Sequence, residues 1–232
     1  MKKFIISIDA GTTSNRSIFF DLKGKPVFSS QKEFTQYFPK NGWVEHDPDE
    51  IWRTTVKTLN DVIKKAKKFK GKVLSIGITN QRETTVLWDK KTGKTVYKAI
   101  VWQDRRTEEY CKKLRKQNKD TTIFNKTGLL IDPYFSGTKI KWILDNVPKA
   151  KQLMNKNQLL FGTIDSFLIW RLTKGKVHAT DATNASRTMI YNISTNKWDD
   201  TILNLLKIKK NILPKVKDCA DDYGQTHSSI TG

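Results

Sequence analysis

A chain of 232 residues can bury a sizeable core, and 37% hydrophobic residues, with seven Trp and eleven Phe, exclude a disordered polypeptide. The net charge of +20 comes from 35 Lys and only eight Arg spread along the chain, which is typical of a solvated surface rather than a nucleic-acid-binding module. Cys111 and Cys219 lie far apart and indicate neither a disulfide framework nor a zinc site. No apolar run approaches the ~18 residues of a membrane span. We therefore expect a soluble, cytoplasmic protein of one large domain or two small ones.

The amino-terminal third predicts a strand meander covered by a helix. Apolar runs predict strands from Phe4 to Asp9, at 17–20 and at 27–34. A helix should follow, from a cap at Asp47 or Asp49 to about Phe69. Its apolar residues at helical spacing are Ile51, Trp52, Val56, Leu59, Val62, Ile63 and Ala66.

The rest of the chain alternates short strands with helices and shows no internal boundary. The predicted strands are 73–78, 84–88, 99–102 and 159–162, and the predicted helices are 105–117, 138–147, 166–172 and 199–206. Irregular structure is expected at 125–135, at 181–188 and at 223–232, with Pro148 closing a helix.

The polar turn between the first two strands, predicted over 10–15, is a candidate anion site. Gly11 lets the backbone approach a ligand closely, and Arg16 adds a positive charge. Asp9, at the carboxyl end of the first strand, is placed to hold Mg²⁺. The hydroxyl donors of the turn are Thr12, Thr13 and Ser14. The turn is not a Walker A sequence, and an ordinary hairpin would use the same residue types.

Further polar stretches carry residues suited to a small polyol. Arg82 and Glu83 are adjacent, so a guanidinium fork and a carboxylate can read neighbouring hydroxyl groups of one ligand. Trp102 could cover the C–H face of a carbon chain, and the Tyr134 hydroxyl could bond a ligand. Each has a structural alternative, namely a surface ion pair for Arg82 and Glu83 and packing alone for the two aromatic residues.

Seven segments resemble the FGGY carbohydrate kinases in order and spacing. They are IDAGTTSNR, GWVEHDPDEIW, ITNQRETT, AIVWQDRRT, TGLLIDPYFSGTKIKWILDN, FGTIDSFLIW and TDATNASRT. The resemblance covers nearly the whole chain and favours phosphate binding over an ordinary hairpin at the first turn. It implies an α/β fold of the actin-like, ribonuclease-H-like ATPase type, with a mixed sheet and helices on both faces. Residues 1–232 would form the first of two family domains.

The resemblance also implies an activity, the ATP-dependent, Mg²⁺-assisted phosphorylation of glycerol to sn-glycerol 3-phosphate, and a homo-oligomeric full-length protein. By position, Asp9 matches the Mg²⁺-associated carboxylate. The matching nucleotide contacts are Thr12, Thr13, Ser14 and Arg16. The matching glycerol contacts are Arg82, Glu83, Trp102 and Tyr134. Only a structural role can be attached to GWVEHDP and TNASRT.

The family's general-base aspartate and its adenine and ribose contacts belong to a second domain, which we expect beyond Gly232. Phosphoryl transfer depends on clamping the γ-phosphate between both halves, so this chain alone should be badly impaired. Three alternatives stay open. They are a related kinase for a longer sugar such as xylulose, a non-catalytic nucleotide- or polyol-binding remnant, and a basic nucleic-acid-binding protein whose retention on DNA depends on salt.

Overall fold

The computed structural model describes residues 2–231, which fold into two compact units. The first unit contains residues 2–36, 47–81 and 225–231, and the second contains residues 37–46 and 82–224. Gly232, the last residue of the predicted carboxyl-terminal loop, lies outside the described residues.

Both units contain strands and helices. The strands are β1 (Lys2–Ala10), β2 (Ser14–Asp21), β3 (Pro26–Glu33), β4 (Gln36–Tyr37), β5 (Glu45–His46), β6 (Gly71–Asn80), β7 (Val86–Asp89), β8 (Ala99–Ile100), β9 (Leu159–Gly162), β10 (Ala179–Asp181), β11 (Tyr191–Asn192), β12 (Lys197–Trp198) and β13 (Lys215–Lys217). The α-helices are α1 (Pro48–Lys68), α2 (Glu108–Lys116), α3 (Asp120–Thr127), α4 (Ser136–Asn146), α5 (Pro148–Asn155), α6 (Ile164–Leu172), α7 (Ala182–Ala185), α8 (Asp200–Leu206) and α9 (Ser228–Thr231), with a 3₁₀ turn at Lys210–Ile212.

The first unit is built on a mixed four-stranded sheet in the order β3-β2-β1-β6. β1 and β2 form an antiparallel hairpin, whereas β1 and β6 run parallel. α1 packs against all four strands and gives the meander its predicted helical cover. Because the carboxyl ends of parallel strands meet at one edge, Asp9 of β1 lies beside Thr79 of β6. This is the mixed α/β arrangement that the sequence predicts.

The face that α1 presents to the sheet is partly polar, which the apolar spacing does not predict. Trp52 and Val56 are only half-buried, whereas Thr54, Thr55 and Thr58 of the same helix are buried. Asn15 on β2 donates through Nδ2 to Thr54 Oγ1 at 2.6 Å and to the Ile51 carbonyl at 2.9 Å. Ser17 and Thr58 share a hydrogen bond of 2.9 Å. These bonds satisfy the Asn15 Nδ2 group and the buried hydroxyl groups, which would otherwise be costly to bury, whereas Asn15 Oδ1 has no partner within residues 2–231.

The second unit has one apolar cluster that joins helices α2 to α5 and α8 with strands β7 and β9. β7 and β9 pair antiparallel, and every residue of both strands is buried.

Gly137, near the start of α4, permits close packing. A Cβ atom there would lie 3.0 Å from both Ile190 Cγ2 and the Thr188 carbonyl oxygen.

Four short helices correct the sequence-based expectations. α3 occupies the beginning of the stretch predicted to be irregular, and α9 lies within the predicted terminal loop. Pro148 does not simply close α4 but also begins α5, because proline suits the first helical position. α7 forms inside the predicted polar loop, where the Asp181 side chain accepts a hydrogen bond from the Asn184 amide at 2.9 Å and caps the helix.

No helix within residues 2–231 is both long enough and apolar enough to cross a bilayer.

Candidate functional site

The turn between β1 and β2, in the first unit, is shorter than predicted. Ala10 and Ser14 are already strand residues, and the Gly11 amide donates to the Ser14 carbonyl oxygen at 3.0 Å. This bond closes a turn, hereafter the 11–14 turn, with Thr12 and Thr13 at its tip. A Cβ atom on Gly11 would lie 3.2 Å from the same carbonyl oxygen, so a side chain would crowd the turn. Since the Gly11 amide is used internally, a phosphate would be bound by the groups that follow it.

Two glutamines that the sequence analysis does not identify hold the 11–14 turn in place. Gln31 Nε2 donates to Ser14 Oγ at 3.0 Å, so the hydroxyl hydrogen of Ser14 can still point to a ligand. Gln81 follows β6 and is buried. Its amide donates to the Ala10 carbonyl at 2.8 Å, and its Nε2 donates to the Gly11 carbonyl at 3.0 Å. The only signal for Gln81 in the sequence is its place in the polar string ITNQRET.

Asp9 and Arg16 are direct cross-strand partners on β1 and β2. Asp9 is half-buried and Arg16 is exposed, and neither side chain forms an ion pair within residues 2–231. A carboxylate with unused oxygens suits Mg²⁺, which takes one or two carboxylates and fills its remaining positions with water and phosphate oxygens. No group of three or more His, Cys, Asp or Glu in the described part of the chain could form a protein-only metal cage. The half-buried Asp9 carboxylate has the chemistry of one such ligand.

Glu83 has an unusual backbone conformation at the beginning of a segment of the second unit. Its φ is +63°, and the Thr84 amide donates across it to the Arg82 carbonyl at 2.7 Å, which defines a γ-turn of the rare, strained form. A strained turn is stable only where contacts with the surrounding structure hold it in place. Here Ser136 Oγ donates to the Glu83 carbonyl at 2.9 Å. The turn leaves Arg82 exposed while Glu83 is only 2% exposed, so these sequence neighbours have opposite environments.

The ionic partner of Glu83 is Arg187, which sequence reasoning places only in the structural segment TNASRT. Arg187 Nε donates to Glu83 Oε1 at 2.7 Å. The guanidinium carbon lies 5.0 Å from the centre of the Phe135 ring and 5.8 Å from that of the Tyr134 ring. A surface ion pair between Arg82 and Glu83, the structural alternative considered above, is therefore not what the Glu83 carboxylate forms.

Trp102 and Tyr134 are brought together in the second unit. Their ring centres are 5.4 Å apart with a tilt of 54°, and both residues are half-buried. The Tyr134 hydroxyl forms no hydrogen bond within residues 2–231 and can serve a ligand. Contacts thus run from Glu83 through Arg187 to Tyr134 and on to Trp102. We refer to these four residues as the Glu83 cluster.

Lys139 supports the Glu83 cluster from the protein interior. It is fully buried, and its Nζ donates to the Tyr134 carbonyl at 2.5 Å. Burial lowers the pKa of Lys139 to about 7, although the negative charges of Asp104 and Glu83 oppose that shift. A buried amine at neutral pH is therefore part of the framework that holds Tyr134.

The GWVEHDP segment contributes to a buried ionic network in the second unit, in agreement with the structural role expected for it. The Arg106 guanidinium carbon lies 3.8 Å from the centre of the Trp43 ring and 4.7 Å from that of Trp142. Its Nη2 donates to Asp104 and to Glu45, each at 2.8 Å. Asp104 in turn accepts from the Val44 amide at 2.6 Å. The network ties this segment to the residues that follow Trp102.

The mixed α/β fold is shared with a family of carbohydrate kinases. Residues 4–232 match the N-terminal domain of the FGGY family of carbohydrate kinases, and the chain belongs to this family.

Within the family, the chain is similar to glycerol kinases. It is 61% identical to the glycerol kinase of Malacoplasma penetrans over 223 residues, which cover 96% of this chain and 44% of that protein. The crystal structure of Plasmodium falciparum glycerol kinase with ADP superposes with a TM-score of 0.94 at 38% identity, covering 98% of this chain and 46% of that one. Ligand-bound xylulose kinase from Lactobacillus acidophilus gives a TM-score of 0.81 at 29% identity, covering 93% and 42%. The chain spans about half the length of these proteins.

Proposed function

We propose that this chain carries the phosphate turn and the polyol site of an ATP-dependent kinase that converts glycerol to sn-glycerol 3-phosphate. The observation that carries the proposal is the Glu83 cluster. A buried carboxylate is held on one oxygen by Arg187, and two tilted aromatic rings lie beside it, one of them with an unused hydroxyl. The similarity to glycerol kinases supports the choice of glycerol.

The chemistry of the Glu83 cluster suits a short polyol. A carboxylate accepts hydrogen bonds from hydroxyl groups, and a tyrosine hydroxyl can both donate and accept. The exposed Arg82 guanidinium adds donors for a third hydroxyl oxygen, and the Trp102 indole offers an apolar face for the C–H groups. These groups would fix the orientation of the hydroxyl that attacks, which is the main contribution that binding makes to phosphoryl transfer.

In the first unit, the 11–14 turn and Arg16 would contact the phosphates of ATP. Asp9 would hold Mg²⁺ directly or through water, and the ion would supply charge neutralisation on the phosphate oxygens. The role of the turn depends on its rigidity, because donors fixed before the reaction need no reorganisation when charge develops. No residue of this chain is assigned as the general base.

The test is glycerol-dependent release of ADP by the polypeptide as its cell makes it. Replacing Glu83 with Ala should raise the KM for glycerol about 10- to 100-fold, because a hydrogen bond to a charged group contributes about 1.5–3 kcal/mol. The matched control is Glu109→Ala, since Glu109 is a glutamate on the surface with a side chain 84% exposed. An unchanged KM in Glu83→Ala would remove Glu83 from the site.

A kinase for a longer sugar is the second candidate, because the fold is shared with xylulose kinase at 29% identity. A panel of glycerol, xylulose and gluconate compared by kcat/KM separates the two candidates. We expect glycerol to exceed the five- and six-carbon compounds, since the Glu83 cluster offers few polar groups. Preference for xylulose would favour the alternative.

We also propose that the full-length protein is a cytoplasmic homo-oligomer. Both cysteines are free thiols, which is compatible with a reducing compartment. Cell fractionation, together with light scattering on the purified protein, tests the compartment and the oligomeric state separately.

A further inference from the structure

The carboxylate of Glu83 needs a fixed partner because it is almost completely removed from water. Its side chain is 3% exposed, and a buried charge is stable only when it is paired and hydrogen-bonded. Oε1 receives the Arg187 Nε–H at 2.7 Å. Within residues 2–231 no other side chain donates to this carboxylate, so Oε2 remains for a ligand.

The orientation of Arg187 is set by aromatic rings. Its guanidinium lies over Phe135 and close to Tyr134, at 5.0 and 5.8 Å from the ring centres. A planar guanidinium stacks on aromatic faces and presents its donors in a fixed fork, which a lysine ammonium cannot reproduce. The Nε–H is therefore aimed at Glu83 before any ligand arrives.

The beginning of α4 anchors both partners of the pair. Ser136 Oγ donates to the backbone carbonyl of Glu83 at 2.9 Å. The next amide, that of Gly137, donates to the carbonyl of Thr188 at 2.7 Å, beside Arg187. Two consecutive residues thus tie the strained γ-turn and the arginine segment to one helix terminus. The separation between Glu83 and Arg187 is consequently set by α4 rather than by two independent loops.

We propose that Arg187 is a positioning residue of the polyol site, which holds Glu83 Oε1 so that Oε2 accepts a hydrogen bond from a substrate hydroxyl. The inference rests on the proposed glycerol kinase function and extends it to a residue on a different segment. Arg187 acts through Glu83, so its loss should weaken glycerol binding and leave the binding of Mg-ATP unaffected.

The experiment compares Arg187→Ala, Arg187→Lys and the double variant Arg187→Ala/Glu83→Gln in the polypeptide as its cell makes it. Arg53→Met, which removes an exposed arginine of α1, is the control. Arg187→Ala should raise the glycerol KM about 10- to 100-fold while the KM for Mg-ATP changes less than about twofold. Arg187→Lys should recover only a small part of the loss because it lacks the planar fork.

Two readouts separate positioning from a purely structural role. Guanidinium ion added to Arg187→Ala should lower the glycerol KM again, whereas it should not affect Arg53→Met. The double variant should lose less than the product of the two single losses, because both changes remove the same interaction. If Arg187→Ala does not fold, Arg187→Lys carries the test, with an unchanged Tm and a raised glycerol KM as the expected result.

The inference is overturned if the Arg187 variants keep the glycerol KM within about twofold of the wild type, or if the losses in the double variant multiply. Failure of the proposed function has a different signature. In that case the wild-type polypeptide neither releases ADP with glycerol nor binds glycerol in calorimetry, and the assignment of Arg187 fails together with that function.

Discussion

Replacing Lys139 with methionine should change how the free energy of unfolding depends on pH. Burial lowers the pKa of Lys139 to about 7 in the folded state, whereas an unfolded lysine titrates near its ordinary value of 10.5. Between these values the unfolded chain binds more protons than the folded chain, so the stability contributed by this group rises with pH. Below pH 7 the folded protein carries a buried ammonium whose only hydrogen-bond acceptor within residues 2–231 is the Tyr134 carbonyl.

The magnitude follows from the width of the pH window. Between pH 6 and pH 9, the unfolded chain binds one proton more than the folded chain over about two pH units, from pH 7 to pH 9. Each of these units adds about 1.4 kcal/mol to the free energy of unfolding, so the total change is at most about 2–3 kcal/mol. Methionine fills a similar volume without charge, but it gives up the hydrogen bond to Tyr134, which contributes about 1 kcal/mol. The stability of Lys139→Met relative to the wild type should therefore be greatest at pH 6 and about 2–3 kcal/mol smaller at pH 9.

Urea unfolding at pH 6, 7.5 and 9 measures the effect, with Lys32→Met on the exposed strand β3 as the matched control. The free energy of unfolding of the wild type relative to Lys139→Met should increase by about 2 kcal/mol across this range. The free energy of unfolding of Lys32→Met should change with pH in the same way as that of the wild type. A difference between the wild type and Lys139→Met that is the same at all three pH values would refute the argument that the folded protein buries a titrating amine.

Two further predictions concern stability. Burial lowers the pKa of His46 to about 4, so the folded state keeps this imidazole neutral, and the stability it contributes should be lost as pH falls from about 6.5 towards 4. His46→Gln should reduce the slope of the free energy of unfolding against pH in that window by at most the contribution of one proton, which is about 1.4 kcal/mol per pH unit. Urea unfolding midpoints measure this change. Gly137→Ala should destabilise by about 1–3 kcal/mol through contact with Ile190 and Thr188, although alanine normally favours a helix by about 1 kcal/mol. A rise in Tm for this variant would show that the neighbours move aside without cost.

Much of the fold could be predicted because its signals are local. β9 occupies the predicted residues, and the Asp47 side chain caps α1 as one of the two expected candidates. Apolar periodicity, a capping carboxylate and a following glycine act over a few residues, so they can be read without the tertiary structure. The short helix α3 escaped because its only apolar residues, Ile123 and Phe124, are adjacent and show no helical spacing. The helix α5 escaped because it begins at Pro148, which the sequence analysis took as the end of a helix.

In the candidate site, too, some residues are predicted from the sequence and others are found only in the structure. The resemblance of the chain to FGGY kinases points to Asp9, the 11–14 turn, Arg82, Glu83, Trp102 and Tyr134 as site residues, and their roles remain predictions. The structure adds Gln81, Arg187 and Lys139, for which the sequence provides no distinguishing pattern. Arg187 is 104 positions from Glu83, and no periodicity relates two residues so far apart.

The sequence by itself therefore determined the longer strands, the longest helix and the family of this protein, because propensity, capping and motif order depend on neighbouring residues. Only the tertiary structure decided that Arg82 is exposed while Glu83 is buried, that Arg187 holds the carboxylate, and that Lys139 is removed from water. The physical reason is that burial and ion pairing depend on which distant segments the folded backbone brings within about 3 Å of each other. At the Glu83 cluster, the γ-turn and the hydrogen bonds from Ser136 and Gly137 at the beginning of α4 hold Glu83 and Arg187 close together.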